Sequence, residues 1–134
     1  MNDFPLKIVT PDGVAYDGTA QALTLRTASG DMGILAGHIN CIAPVGMGQA
    51  TILCDGVTRR AACIGGLVSV LDGKVTLVPT TFEWEENIDL DRAESSKQRA
   101  EAVLHSSTAS KTDLLLAEAR LKRALVRTSL KHRK

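Results

Sequence analysis

Two groups of arginines in the last third of the chain have the spacing of helix faces. Arg92 and Arg99 are seven residues apart, and Arg120, Arg123 and Arg127 step by three and four. Residues at these intervals share one face of an α-helix. If two such helices close with these faces together, several guanidinium groups converge, and an anion has to offset their repulsion. The spacing therefore allows a polyphosphate site held by charge-assisted hydrogen bonds.

The same arginines also fit a plainer interpretation, which the spacing leaves open. Lys131 and Lys134 continue the second group, and such a basic stripe can be solvated or can grip an acidic protein surface. Residues 1–87 carry 5 Lys/Arg and 9 Asp/Glu, a net charge of −4, and residues 88–134 carry 11 and 6, a net charge of +5. A basic segment after a mildly acidic one indicates an anionic partner for that segment.

The other reactive side chains do not form the patterns of enzymes. The histidines His38, His105 and His132 are scattered, without metal-ligand spacing or a neighbouring nucleophile. The glycine-rich residues 29–48 match no phosphate-binding motif and indicate tight turns and strand corners. We therefore expect no catalytic residue, no metal and no required cofactor.

Cysteine usage and the N-terminal segment predict a cytoplasmic protein. The odd number of cysteines, Cys41, Cys54 and Cys63, predicts free thiols in a reducing compartment. The segment MNDFPLKIVTPDG lacks the basic and apolar parts of a signal peptide. No apolar run reaches the roughly 18 residues of a membrane span.

The first 87 residues predict an antiparallel β-sandwich or barrel. Period-two apolar patterns at residues 6–10 and 22–27 indicate strands, and residues 50–64 and 68–78 indicate hairpins. Aspartate–glycine pairs favour type I′ hairpin turns, in which both central residues have positive φ. Such pairs occur at Asp12-Gly13, Asp17-Gly18, Asp55-Gly56 and Asp72-Gly73.

Residues 88–134 contain neither glycine nor proline and predict two helices. Asp89 is placed to cap the first helix, and Ser110 with Asp113 resembles a capping box at the start of the second. Residues 106–111 form the predicted loop, and so short a connection predicts an antiparallel hairpin. The predicted apolar stripes are Ala93, Ala100, Val103 and Leu104, and then Leu114, Ala117, Leu121, Ala124 and Leu125. Because these stripes are rich in alanine, we expect weak packing that allows the hairpin to open.

Five segments in a fixed order resemble one known family, the epsilon subunit of bacterial F-type ATP synthase. They are VTPDG near the N-terminus, SGDMGILAGH at 29–38, IGGLVSVLDGKVTLV at 64–78, IDLDRA at 88–93 and LKRALVR at 121–127. The resemblance covers nearly the whole chain. It implies an α+β fold, with an N-terminal antiparallel β-sandwich of about ten strands in residues 1–86 and a C-terminal antiparallel α-helical hairpin in residues 87–134.

The resemblance implies a non-catalytic subunit of the rotor stalk. In this family the sandwich binds the gamma subunit and the membrane-embedded c-ring, and the extended hairpin reaches between the alpha and beta subunits and blocks ATP hydrolysis. Such a subunit lies at the cytoplasmic face of the plasma membrane, meets the membrane only through the complex and has no nucleic-acid partner. The alternative is a free-standing nucleotide-sensing module of the same architecture.

The resemblance also implies a regulatory ATP site. In some members the folded hairpin binds ATP, and the motif Ile/Leu-Asp-x-x-Arg-Ala is matched here by Ile88, Asp89, Arg92 and Ala93. Supporting positions are matched by Glu83, Arg99, Arg123 and Arg127.

Two protein contacts are implied in the same way. The c-ring contact corresponds to Asp31 and His38, and the inhibitory contact corresponds to a basic stripe formed by Arg120, Arg123 and Arg127. The chain departs from the family pattern near the first contact, where members usually have proline, proline and glutamate in place of Ala36, Asn40 and Ser69.

Overall fold

The computed structural model describes residues 2–131, and its contacts divide the chain into two units. The first unit ends at Trp84 and the second begins at Glu85. The predicted boundary between residues 86 and 87 falls inside a short 3-10 helix, Glu85–Asn87. His132 and Lys134, which the sequence analysis singled out, lie outside the described residues.

The first unit consists of ten β-strands in two five-stranded sheets. The strands are β1 Phe4–Thr10, β2 Gly13–Ala20, β3 Ala22–Thr27, β4 Gly30–Ile34, β5 Cys41–Pro44, β6 Met47–Cys54, β7 Val57–Ile64, β8 Leu67–Leu71, β9 Lys74–Val78 and β10 Thr81–Trp84. One sheet has the order β2-β1-β9-β8-β5 and the other the order β10-β7-β6-β3-β4.

The core of this unit is built from the alternating apolar side chains of both sheets. Leu6 and Ile8 in β1, Leu23 in β3, Ile52 in β6 and Leu77 in β9 are all at most 1% exposed. Burying each such side chain contributes about 1.5–3 kcal/mol. The predicted sandwich is therefore confirmed, and burial of its own apolar side chains stabilises it.

One strand pair differs from the antiparallel arrangement that the sequence predicts. β1 pairs with β9 in parallel, with Leu6 opposite Val75 and Ile8 opposite Leu77. The two strands are far apart in the sequence, so no turn fixes their relative direction, and burial of their apolar faces decides the pairing.

The aspartate–glycine pairs fall into three groups. Asp55-Gly56 and Asp72-Gly73 have positive φ at both residues, as a type I′ turn requires, and join β6 to β7 and β8 to β9. Asp12-Gly13 closes the β1–β2 hairpin, but Asp12 does not have positive φ. The hairpin turn predicted at Asp17-Gly18 is wrong. Both residues lie inside β2, because β2 continues through them in register with β1.

The second unit contains two helices after the 3-10 helix. α1 spans Leu90–Leu104, α2 spans Lys111–Lys131, and the two pack together as a hairpin. The capping box is confirmed, because the Asp113 amide donates to Ser110 Oγ at 3.1 Å and the Ser110 amide donates to Asp113 Oδ2 at 3.3 Å. The apolar stripe predicted for α2 is wrong at Leu125, which is 42% exposed, while Thr128 and Leu130 are buried instead.

Candidate functional site

The segment Ile88–Ala93 forms the start of α1. Asp89 is the N-cap, with its Oδ1 accepting from the Arg92 amide at 3.1 Å, as the sequence predicts. Ile88 and Ala93 are each 4% exposed, so their side chains pack inside the protein. The Arg92 side chain is exposed.

Small side chains line the contact between the two helices. Ala93 and Ala100 in α1 and Ala117 and Ala124 in α2 are all buried. Because an alanine fills little space, the helices can approach closely, and longer residues beside the alanines have to project past the contact. This arrangement leaves room for a cleft along one side of the hairpin.

That cleft has a volume of about 510 Å³. Its lining residues are Ser96, Arg99, Ala100 and Val103 from α1 and Ala117, Arg120, Arg123 and Arg127 from α2. Four guanidinium groups therefore border one space, and none of these lining residues is acidic. The Arg99 Nη2 donates to Ser96 Oγ at 3.3 Å, a neutral contact that leaves the charge of Arg99 in place. The arrangement suits an anion with several negative charges.

The cleft contains only part of the site set implied by the family resemblance. Arg99, Arg123 and Arg127 line it, whereas Ile88, Asp89, Arg92 and Ala93 do not. Glu83 belongs to β10 of the first unit, where its backbone register partner is Ala62. The part of these other residues in ligand binding stays a prediction.

Arg120 is the cleft arginine that the ATP-site prediction did not include. The sequence analysis placed it in the basic stripe alone. Its spacing carried the missing signal, because Arg120 is seven residues before Arg127 and so lies on the same helix face. In the structure the whole basic stripe lines the cleft.

The residues predicted for the c-ring contact lie in β4 and in the loop that follows it. Asp31, in β4, forms an exposed salt bridge with Arg26 at 3.6 Å. His38 lies in the loop between β4 and β5, where its Nδ1 donates to the Ile39 carbonyl oxygen at 2.8 Å. In the same loop Leu35 and Ile39 are 61% and 77% exposed.

Asn40 forms hydrogen bonds that connect this loop to the β8–β9 turn. Its Oδ1 accepts from the Asp72 amide at 2.8 Å, and its Nδ2 donates to Asp72 Oδ1 at 3.5 Å. The amide side chain at the position of a usual family proline therefore provides a contact that proline does not offer.

The described part of the chain has neither a metal-ligand cluster nor a helix suited to spanning a membrane. Within residues 2–131, no three His, Cys, Asp or Glu side chains come together as a metal site. Neither α1 nor α2 combines the length and the apolar composition needed to cross a membrane. All three cysteines are free, as predicted.

The two units correspond to two domains of one known protein family. A family model described as ATP synthase, Delta/Epsilon chain, beta-sandwich domain matches residues 3–85, and one described as ATP synthase, Delta/Epsilon chain, long alpha-helix domain matches residues 86–130. The ATP synthase epsilon chain of Ruminococcus albus is 41% identical over 132 residues, 98% of each chain. That of Bacillus cytotoxicus is 38% identical over 134 residues, the full length of both.

Solved structures show the same fold. One chain of the mitochondrial ATP synthase OSCP/F1/c-ring structure from Euglena gracilis matches with a TM-score of 0.85 and 23% identity, over 95% of this chain and 80% of that one. One from the central stalk/c-ring structure of Tetrahymena thermophila ATP synthase matches with a TM-score of 0.69 and 14% identity, over 95% of each. Sandwich and hairpin thus define an ATP synthase delta/epsilon chain. Within that class, the chain belongs to the ATP synthase epsilon family, as the sequence predicted.

Proposed function

We propose that the chain is a non-catalytic central-stalk subunit of an F-type ATP synthase. It links the gamma subunit to the c-ring during proton- or sodium-driven ATP synthesis, and it restrains ATP hydrolysis through its hairpin. It lies peripherally at the cytoplasmic face of the plasma membrane. The observation that carries the regulatory part is the arginine-lined cleft between α1 and α2.

An exposed apolar patch on the sandwich supports the contact with the gamma subunit. The patch consists of Ile42, Leu67, Leu71 and Val78, which are 48% to 72% exposed. The pairing of Leu67 with Val78 and of Ile42 with Ser69 places these side chains on the face of the sheet opposite the core. Exposed apolar patches of neighbouring side chains mark protein–protein contacts.

The β4–β5 loop is the proposed contact with the c-ring. It carries the exposed side chains Leu35 and Ile39 next to His38, and Asp31 lies in the adjoining strand. A mixed apolar and polar tip of this kind fits a second protein surface, with the apolar groups supplying most of the buried area.

The hairpin is the proposed regulator, because its basic stripe has two uses that exclude each other. When the helices are closed, Arg120, Arg123 and Arg127 line the cleft. When the hairpin extends between the alpha and beta subunits, the same arginines bind acidic surface on the beta subunit. ATP bound in the cleft, which Arg99, Arg123 and Arg127 of the predicted set line, stabilises the closed form by mass action and so relieves inhibition.

Co-purification with a gamma subunit tests the stalk assignment. The wild-type chain should co-purify with the gamma subunit. Leu67→Glu should weaken this association, because it places a charge in the apolar patch. Val57→Glu is the matched control, since Val57 is 62% exposed but begins a strand of the other sheet. Failure of the wild type to bind gamma, combined with ATP binding, would instead favour the free-standing nucleotide sensor.

A further inference from the structure

Both type I′ turns of the sandwich bind a side-chain amide from a distant part of the chain. At the β8–β9 turn, the Asp72 amide donates to Asn40 Oδ1 at 2.8 Å. At the β6–β7 turn, the Asp55 amide donates to Gln21 Oε1 at 3.1 Å. In each turn the ladder ends at the residue before the aspartate, so its backbone amide has no partner in the sheet. The side-chain amide supplies that partner.

Asn40 differs from Gln21 in the part of the chain that it holds. Gln21 lies directly between β2 and β3, whereas Asn40 is the last residue of the β4–β5 loop, residues 35–40. The Asn40 Nδ2 also donates to Asp72 Oδ1 at 3.5 Å, so one side chain meets both the backbone and the carboxylate of Asp72. Asn40 therefore connects the β4–β5 loop to a hairpin 32 positions further along the chain.

The other hydrogen bonds of this loop are local. The His38 amide donates to the Leu35 carbonyl oxygen at 3.2 Å, in a turn where Gly37 has a φ of 84°. The His38 Nδ1 donates to the Ile39 carbonyl oxygen at 2.8 Å. Within residues 2–131, Asn40 is the only residue of the loop whose side chain forms a hydrogen bond with another element. The local bonds shape the loop, and the Asn40 bonds fix its position beside the β8–β9 turn.

We infer that Asn40 is a positioning residue that holds the β4–β5 loop ready for the c-ring. The inference rests on the c-ring contact of the proposed function. Leu35 and Ile39, the large apolar side chains of the loop, are 61% and 77% exposed and are free to pack against a partner. A loop that is ordered before association loses less conformational entropy when it binds. Asn40 thus contributes to affinity through the loop, without contacting the partner itself.

Amide hydrogen exchange of the full chain, followed by NMR, tests the connection to the turn. Asn40→Ala should speed exchange of the Asp72 amide by about fivefold, because it removes the acceptor. Gln21→Ala is the matched control, since it removes the equivalent acceptor at the other turn. It should speed exchange of the Asp55 amide and leave that of Asp72 unchanged. An unchanged Asp72 amide in Asn40→Ala would overturn the inference.

Competition with labelled wild-type chain for a detergent-solubilised gamma–c-ring complex tests the effect on binding. Asn40→Ala should bind about fivefold more weakly, and Gln21→Ala should stay within about twofold of the wild type. Equal affinities of Asn40→Ala and Gln21→Ala would contradict a positioning role.

A reversed pair shows whether the hydrogen bonds themselves are responsible. Asn40→Asp alone should also weaken binding, because it places a second carboxylate beside Asp72. Adding Asp72→Asn should restore the affinity to within about twofold, since the acceptor for the turn amide remains and the donor now comes from the other side. Asparagine also suits the φ of 48° at this position. No recovery in the double variant would count against the inference.

Ile39→Glu separates this inference from the c-ring contact on which it rests. If Ile39→Glu weakens binding and Asn40→Ala does not, the contact stands and the inference alone is wrong. If Ile39→Glu binds like the wild type, or if the wild-type chain does not bind the complex, the c-ring contact is wrong and the inference fails with it.

Discussion

At the scale of single residues, the two ends of the predicted ATP site differ in what the structure does with them. Arg99, Arg123 and Arg127 border the cleft together with Arg120, whereas Arg92 does not. Spacing by three, four and seven places residues on one helix face, so the cleft arginines could be predicted from the sequence. Spacing does not say which turn of one helix lies opposite which turn of the other. For that reason Arg92, two turns before Arg99, was predicted to share the phosphate site and lies outside the cleft.

Substitution of Arg92 tests whether this residue takes part in the proposed site. Arg92→Ala should weaken ATP binding, because the family resemblance assigns this residue to the nucleotide. Calorimetric titration with ATP measures this, with Arg99→Ala, which removes an arginine that borders the cleft, as the comparison that should also weaken binding. An affinity for ATP equal to that of the wild type in Arg92→Ala, together with a loss in Arg99→Ala, would show that Arg92 has no part in the site.

The buried thiol of Cys63 gives the sandwich a pH dependence. Burial raises the pKa of this thiol from 9.0 to about 12. Between these values the unfolded chain loses the proton while the folded chain keeps it, so the free energy of unfolding falls as the pH rises. This contribution is fully present below about pH 9 and is lost as the pH rises toward 12.

Denaturant unfolding at about pH 8 and about pH 10.5 tests this effect. Between the two, Cys63→Ala should lose ~2 kcal/mol less free energy of unfolding than wild type does. Other groups that titrate in this range are common to both proteins and cancel in the comparison. An identical loss in the two proteins would show that the Cys63 thiol ionises without unfolding.

At the scale of elements, residues close in sequence predicted turns and helix caps correctly, whereas pairing between distant strands could not be predicted in the same way. The type I′ turns at Asp55-Gly56 and Asp72-Gly73 and both helix caps follow from residues close in sequence. Asp17-Gly18 carries the same turn signal, yet pairing with β1 keeps it in a strand. The parallel β1–β9 pair joins the two ends of the sandwich sequence, and no neighbouring residues encode it.

The width of the hairpin contact depends on its alanines. Ala124 is fully buried, so Ala124→Leu should force α1 and α2 apart at a cost of about 1–3 kcal/mol and should weaken ATP binding by reshaping the cleft. Ala102→Leu is the control, because Ala102 is exposed on α1. Thermal unfolding and ATP titration of both variants measure the effect. Unchanged binding in Ala124→Leu would show that the cleft does not depend on close helix packing.

At the scale of the whole molecule, the division into two units predicts that the sandwich folds by itself. The large buried side chains Leu6, Ile8, Leu23, Ile52 and Leu77 all lie before Trp84, and a chain of this length can bury a sufficient core. A chain ending at Glu85 should give a β-type circular dichroism spectrum and a cooperative thermal transition. The full chain is the reference. A spectrum of an unfolded chain would mean that the hairpin is needed for the fold.

In the proposed function the sandwich attaches the subunit and the hairpin restrains hydrolysis. The direct measurement is the ATP hydrolysis rate of the complex reconstituted with the full chain or with a chain ending at Asn87, with incorporation of each checked by co-purification. We expect equal incorporation and a higher rate with the shortened chain, because the basic stripe is removed. Equal incorporation with the same rate would leave the hairpin without a part in inhibition.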